Sequence, residues 1–179
     1  VKAGRWPENY KECVLVLTSQ GDISDFLQYT LGLRDGKELD DMVQKFMAEE
    51  AVETPENEGP YTYDEILGKK FKLVNSTDYY EYDEEYKVWK DKSDNSSYMK
   101  KLVKNGEDLT IVGIVQPVEG ATASMLTAGI CYTPELTKHV IEKAASSEIV
   151  KQQLADEKIN VFTGEEFGKE DNENSKFDM

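Results

Sequence analysis

The sequence predicts an α+β fold with a mixed sheet and segregated helices, built as one domain or as two lobes. Short continuous apolar runs at residues 13–17 and 109–115 are typical of strands buried on both faces. Other segments repeat apolar residues at helical spacing, with short turns between them. The 179-residue chain has no internal repeat and no sustained heptad, so strands and helices share one fold.

Composition argues against two classes of partner. The chain holds 36 acidic against 21 basic residues, a net charge of −15, and is 39% hydrophobic and 32% charged. Nucleic-acid binding needs clustered Lys and Arg to neutralise phosphates, so no nucleic acid is expected as a partner. Docking on anionic lipid is disfavoured for the same reason.

Residues 109–133 hold a single charge, Glu119, but do not form a membrane span. A span needs about 20 mostly apolar residues, whereas Pro117, Glu119 and Gly120 interrupt this stretch. It is interpreted as two buried strands, 109–115 and 129–132, joined by a loop. The first residues carry no apolar leader, so no signal peptide is predicted.

The N-terminal part predicts a strand and two helices. After the strand at 13–17, Ser24 caps a short helix that ends at Gly32. A longer helix starts at Gly36, and its apolar residues form a stripe wide enough to face a core. The stripe consists of Leu39, Met42, Val43, Phe46 and Met47. Residues 51–60 combine Pro, Gly and acids and predict a surface loop.

The middle of the chain starts with Thr62 and Glu65, a capping-box pattern that predicts a short helix ending at Gly68. The next predicted elements are a strand at 71–74, a long half-exposed strand at 79–90, a polar turn at 91–97 and a helix at 98–103.

Two helices follow the strand at 129–132. Thr133, Pro134 and Glu135 supply a capping hydroxyl, a proline at the first helical position and an acid in the first turn. A second helix is capped by Ser146 or Ser147. The chain is then predicted to form a short strand at 159–162 and a solvated, flexible acidic tail at 164–179.

No metal-ligand spacing is found. The single histidine, His139, and the remote Cys13 and Cys131 do not make a zinc pattern, so no metal and no cofactor are predicted. His139 is interpreted as a surface or interface residue, and a Ser-His-Asp triad stays an open alternative. Buried free thiols are favoured for the two cysteines, with one disulfide as the alternative.

Residues 91–95 resemble the start of an EF-hand loop. The sixth position, which needs glycine, is Ser96, and the twelfth, which needs glutamate, is Leu102. An irregular calcium site remains an alternative.

The segment 79–89 has the most unusual composition and supplies the candidate partner-contact residues. These are Tyr79, Tyr80, Tyr82, Tyr86 and Trp89. In one interpretation they form an aromatic platform for a peptide or protein, and the acids between them favour a cationic partner. In the other they belong to a twisted hairpin whose aromatic residues pair across the strands.

Four short segments, in order, resemble FtsX-like, MacB-type ABC transporter permeases. Gly4-Arg5-Trp6-Pro7 followed by Glu12-Cys13-Val14 is similar to the family's "Gly-Arg-x-Pro" and "Glu-Val-strand" motifs. Residues 67–73 look like its "Leu-Gly-x-x-strand", and residues 109–115 like its "Val-Gly-Ile" strand. Residues 129–165 resemble the family's return strand and helices. Within them, Asn160 to Gly164 of this chain are similar to a segment that often follows in Gram-positive relatives.

The resemblance implies an extracytoplasmic domain, residues 1–163, located between the first two membrane helices of a permease in the cell membrane. A lobe at 18–108 is inserted between core strands, and the core continues at 109–163. Such a domain is not an enzyme and follows ATP-driven motion of the membrane part. Its partners are its own transmembrane helices, a cytoplasmic ATP-binding-cassette ATPase, a second permease copy and an extracellular ligand, either a peptide, a lipoprotein or an antimicrobial.

Two alternatives come from other functional classes. A free-standing extracellular protein- or peptide-binding module would share this composition. An acid-dependent hydrolase would use two paired carboxylates, and the 36 acidic residues leave that pairing untested.

Overall fold

The structure is a computed structural model that describes residues 1–52, 59–121 and 124–168. Its strands are β1 (Ala3–Gly4), β2 (Glu12–Val16), β3 (Lys70–Leu73), β4 (Tyr80–Asp83), β5 (Val88–Asp91), β6 (Glu107–Val115) and β7 (Gly129–Tyr132). Its α-helices are α1 (Asp25–Thr30), α2 (Gly36–Met47), α3 (Tyr63–Ile66), α4 (Ser96–Asn105), α5 (Pro134–Ala145) and α6 (Glu148–Ala155). A 3-10 helix spans Ser76–Tyr79. The predicted α+β class is confirmed.

Five strands form one mixed sheet in the order β1-β6-β2-β7, with β3 also paired to β6. β2 runs parallel to β6 and antiparallel to β7, while β1 runs antiparallel to β6. β4 and β5 form a separate two-stranded sheet. The apolar runs at 13–17 and 109–115 therefore supply the two inner strands, as their lack of alternation predicts.

The centre of the five-stranded sheet is the best-buried part of the molecule. Cys13, Leu15, Ile111 and Ile114 are fully buried on β2 and β6. Each such aliphatic side chain removed from water stabilises the fold by about 1.5–3 kcal/mol.

Contacts divide the chain into two compact units. The sheet unit comprises Val1–Phe71 and Leu109–Pro134. The hairpin unit comprises Lys72–Asp108 and the described residues from Glu135 onward. The lobe boundaries predicted from the sequence, at residues 18, 108 and 163, stay predictions.

The predicted long strand at 79–90 is wrong, because the segment is a hairpin. The Asp83 side chain accepts the backbone N–H groups of Glu85 and Tyr86, at 2.9 and 3.0 Å. Lys87 adopts a positive φ of 56° in the same turn. An aspartate that satisfies its own following N–H groups is a turn former, and this local chemistry overrides the alternating pattern.

The predicted strand at 159–162 is also wrong, since only one isolated bridge, Ile159 to Glu166, forms there. Asn160 makes a turn instead. Its side chain accepts the N–H of Phe162 at 2.9 Å, and its backbone carbonyl accepts the N–H of Gly164 at 2.8 Å.

The prediction that the apolar stripe of α2 faces a core is wrong. No residue of α2 is buried, and Val43, Phe46 and Met47 are exposed. Helical spacing separates an apolar from a polar side, but it does not supply a neighbour to cover the apolar side.

Two further predictions lie partly outside the described residues. The loop at 51–60 includes residues 53–58, and the tail at 164–179 includes residues 169–179. Across the residues that the structure does describe, no helix has the length and apolar character to cross a bilayer.

Candidate functional site: the aromatic hairpin

The hairpin of β4 and β5 brings two of the predicted contact residues face to face. Tyr82 lies directly opposite Trp89 in the register, with ring centroids 5.3 Å apart and ring planes tilted by 56°. Tilted aromatic pairs of this kind add about 0.5–1.5 kcal/mol beyond their buried area. The interpretation of segment 79–89 as a hairpin with cross-strand aromatic pairs is confirmed.

Charged residues alternate with the aromatic residues along the two strands and pair with each other. Lys90 lies 2.6 Å from Asp83, and Lys92 lies 2.9 Å from Glu81. The hydrogen bond from Lys90, supported by the Tyr86 N–H, lowers the pKa of Asp83. Because side chains alternate between the faces of a strand, Glu81 and Asp83 lie on one face of β4. Tyr80 and Tyr82 lie on its other face, which carries no charged side chain of β4.

Hydrogen bonds hold the hairpin within its unit. The Trp89 indole Nε1 donates to Gln152 Oε1 of α6 at 2.7 Å, and the Trp89 backbone N–H donates to the Val161 carbonyl at 2.9 Å. On α4, the Tyr98 hydroxyl donates to the Asp78 carbonyl at 2.9 Å. The position of the aromatic face is therefore fixed by α4, α6 and the 159–168 segment.

The remaining predicted contact residues lie apart from the Tyr82–Trp89 pair. Tyr86 is 64% exposed in the turn, with the Lys90 ammonium 4.7 Å from its ring centroid. Tyr79 is half-buried at the end of the 3-10 helix, and Tyr80 packs on Phe162 with ring centroids 5.1 Å apart. The structure thus brings Tyr82 and Trp89 together and gives Tyr80 a different partner.

Tyr80 lines a small apolar cleft of about 280 Å³. The other apolar walls are Ile149, Val150, Leu154, Val161 and Phe162. At its edge, the buried Thr77 hydroxyl has no hydrogen-bond partner among the described residues. The sequence pattern of segment 79–89 did not reveal this cleft, because most of its lining lies 70 or so residues further along the chain.

Tyr82 and Trp89 line a second cleft of about 550 Å³. Its remaining walls are α6 residues that do not line the first cleft, namely Glu148, Lys151, Gln152 and Ala155. Glu148 and Lys151 form an exposed ion pair at 2.9 Å. Two aromatic rings beside an amide and an ion pair can hold a group with an apolar body and a polar edge.

A third cleft, of about 610 Å³, lies in the sheet unit. Its lining includes Asp22, Asp25, Tyr61 and the buried Gln28. The Tyr61 hydroxyl donates to Gln28 Oε1 at 3.4 Å, and Gln28 Nε2 donates to Asp25 Oδ1 at 3.3 Å. No motif in the sequence indicated this cleft.

His139 lies in a charged cluster of the hairpin unit. Its Nε2 is 3.0 Å from Glu107 Oε1, and Lys143 Nζ lies 3.2 Å from the same oxygen. The side chain is 26% exposed. The cluster accounts for His139 as a hydrogen-bond partner of Glu107 at a partly covered surface.

Both cysteines are free thiols, as favoured from the sequence, but the expectation that both are buried is wrong for Cys131, which is partly exposed. Cys13 is fully buried on β2, and burial raises its pKa to about 11. It therefore behaves as a small apolar core residue. Among the described residues, no group of three or more His, Cys, Asp or Glu side chains is placed to hold a metal ion.

The motif residues of the N-terminal strand region form a compact cluster in the sheet unit. Gly4 pairs with Gly113 across β1 and β6, and a Cβ on Gly113 would collide with the Arg5 carbonyl oxygen. Gly4 has a φ of +69° and would collide with the Val112 carbonyl in the same way. The two backbones approach so closely that only glycine fits at either position.

Arg5 forms a two-pronged ion pair with Glu12. Its Nη1 and Nη2 donate to Glu12 Oε2 and Oε1 at 2.8 and 2.6 Å, and the Glu8 N–H donates to Glu12 Oε2 at 2.8 Å. These bonds, with that from Arg5 the larger cause, lower the pKa of Glu12 to about 2. The pair joins the segment after β1 to the start of β2.

Comparison of the chain with protein-family models, curated proteins and solved structures finds no match.

Proposed function

We propose that the chain is the extracytoplasmic domain of an FtsX-like ABC transporter permease. In this proposal it is a non-catalytic domain at the outer side of the cell membrane. It contacts a substrate or partner protein and follows the ATP-driven motion of the membrane part. Its own transmembrane helices, a cytoplasmic ATPase and a second permease copy complete the assembly.

The observation that carries the proposal is that the four resembling segments meet in one sheet. Residues 4–17, 66–74, 109–118 and 129–165 contain β2, β3, β7 and parts of β1 and β6. Motif residues that are distant in sequence also touch one another, as Gly4 does Gly113.

The aromatic hairpin is the proposed partner-contact surface. Tyr and Trp are the residues that most often anchor protein interfaces, and here they line two clefts on one unit. The acidic turn residues Glu84 and Glu85 and the net charge of −15 favour a cationic peptide or protein.

The gene around these residues tests the permease proposal. One apolar span encoded upstream and three downstream, next to an ATP-binding-cassette gene, is the expected result. An upstream signal peptide and a stop codon close to Met179 would contradict it. That result would leave a free-standing extracellular binding module, for which the same aromatic surface serves as the contact.

The contact surface has its own test in an intact permease assembly reconstituted with its ATPase. Tyr82→Ala combined with Trp89→Ala is expected to uncouple ligand-stimulated ATP hydrolysis while basal hydrolysis is kept. Tyr10→Ala, a half-buried tyrosine of the sheet unit, is the matched control. Equal stimulation of ATP hydrolysis in both variants would show that the hairpin is not the contact surface. It would not bear on whether the chain is a permease domain.

A further inference from the structure

α2 presents apolar side chains to solvent. Val43, Phe46 and Met47 are 49%, 76% and 79% exposed. They recur at the i, i+3 and i+4 spacing of a single helix face. Scattered exposed apolar residues need no explanation, but a contiguous stripe of large ones on one helix is typical of an interaction site.

The helix is tied down along its other edge, so its orientation is defined. Glu38 accepts hydrogen bonds from Arg34 Nη2 at 3.0 Å and from the Tyr29 hydroxyl at 3.3 Å. Leu39 and Met42, the other two residues of the stripe, are half-buried. Within the described part of the chain, the side that bears Val43, Phe46 and Met47 is exposed.

The charges around this side are acidic. Asp40 lies one turn before Val43, at i, i+3 spacing, and Glu49 and Glu50 follow the end of the helix. Lys37 and Lys45 lie on the opposite side of the helix, away from the stripe. An incoming surface therefore meets an apolar strip bordered by carboxylates.

These charges separate the candidate occupants. Helices that lie on membranes carry Lys and Arg on their polar faces, whereas this apolar strip is bordered by acids. A second copy of the chain would bring the same acids and a charge of −15 against them. A basic amphipathic helix matches both the strip and its border, with apolar residues for the stripe and lysines or arginines for the acids.

We propose that the exposed face of α2, formed by Val43, Phe46 and Met47, is the docking site for a basic amphipathic helix of a partner protein. Apolar side chains of the partner cover Phe46 and Met47, and its basic residues pair with Asp40, Glu49 and Glu50. This site belongs to the sheet unit, whereas the aromatic hairpin belongs to the hairpin unit. Methionine and phenylalanine together suit a surface that adapts to partners of varied sequence.

The probe is a labelled synthetic peptide of about 18 residues, long enough to form a helix, with leucines on one face and lysines on the other. Binding to the full chain is followed by fluorescence anisotropy at physiological salt. The variant Phe46→Ala with Met47→Ala is expected to weaken binding about tenfold or more, because buried anchors dominate such interfaces. Gln44→Ala, on the same helix but off the stripe, is expected to bind as the wild type does.

A peptide with glutamate in place of lysine tests the charge match and is expected to bind at least about tenfold more weakly than the lysine peptide. Equal binding of the lysine peptide by the double variant and by Gln44→Ala would overturn the proposal. Binding would then result from non-specific attraction between the peptide and the net negative charge of the chain. Phosphatidylcholine vesicles that bind the wild type but not the double variant would assign the face to a membrane instead. A dimer that the double variant dissociates would assign it to a second copy.

Discussion

β6 and α2 carry comparably apolar residues, yet one is the core of the molecule and the other faces solvent. Ile111 and Ile114 of β6 are fully buried, whereas Phe46 of α2 is 76% exposed. A central strand is paired along both of its edges, and when it carries apolar residues on both faces it is stable only if both faces are covered. A helix satisfies its own backbone, so it can persist with an apolar side open. Apolar sequence therefore predicts burial more strongly for a strand than for a helix.

The largest expected effect is in the sheet. Leu15→Ala removes a fully buried side chain from β2, and we expect the free energy of unfolding to fall by about 2–5 kcal/mol. Chemical denaturation monitored by circular dichroism measures the change. A loss of unfolding free energy below about 0.5 kcal/mol would show that Leu15 does not lie in a packed core. The contrast between the buried sheet and the exposed helix would then fail.

The glycine contact between β1 and β6 ranks second. Gly113→Ala pushes a Cβ into the Arg5 carbonyl, and we expect a loss of about 1–3 kcal/mol from overpacking. Gly36→Ala is the matched control, because a Cβ there meets nothing within 4 Å and alanine favours a helix. If both variants were equally stable, the close approach of the two strands would be wrong.

The Arg5–Glu12 pair should make the sheet unit sensitive to acid. The folded-state pKa of Glu12 is about 2, against an ordinary value of 4.5, so its contribution to stability is complete above pH 4.5 and is lost as the pH falls towards 2. The gap in unfolding free energy between wild type and Glu12→Gln should shrink over that range. Glu119→Gln, at an exposed glutamate outside this ion pair, is the matched control. A gap that stays constant from pH 6 to pH 2 would argue against the ion pair.

The smallest expected effect is on α2. Phe46→Ala removes as large a side chain as any in the core, but we expect the free energy of unfolding to change by no more than about 0.5 kcal/mol, because the ring is already in water. The same denaturation experiment applies. A loss as large as that from Leu15→Ala would show that Phe46 is covered in solution.

Local signals predicted much of the secondary structure. The strand at 129–132 and the helix start at Pro134 match the structure, although the Thr133 hydroxyl has no hydrogen-bond partner among the described residues and the predicted cap is wrong. The Thr62–Glu65 capping box forms both of its hydrogen bonds. In each case the residues that decide the structure lie within a few positions of one another.

Predictions failed where the deciding partner was a turn former or was distant in sequence. Asp83 and Asn160 turn the chain inside two predicted strands by binding their own neighbours. The clefts beside Tyr80 and Tyr82 depend on α6, which no pattern in segment 79–89 reveals. The exposure of α2 likewise depends on which elements pack nearby, and periodicity does not encode that.

Mild peroxide oxidation of the methionines, followed by peptide mass spectrometry, tests the exposed face of α2 most directly. Met47 is 79% exposed and Met42 is half-buried on the same helix, while Met125 is fully exposed and serves as the reference. Met47 should oxidise at nearly the rate of Met125 and faster than Met42, and the leucine–lysine peptide should slow Met47 alone. Equal, slow oxidation of Met42 and Met47 in the free chain would contradict the account, because the stripe would then be covered.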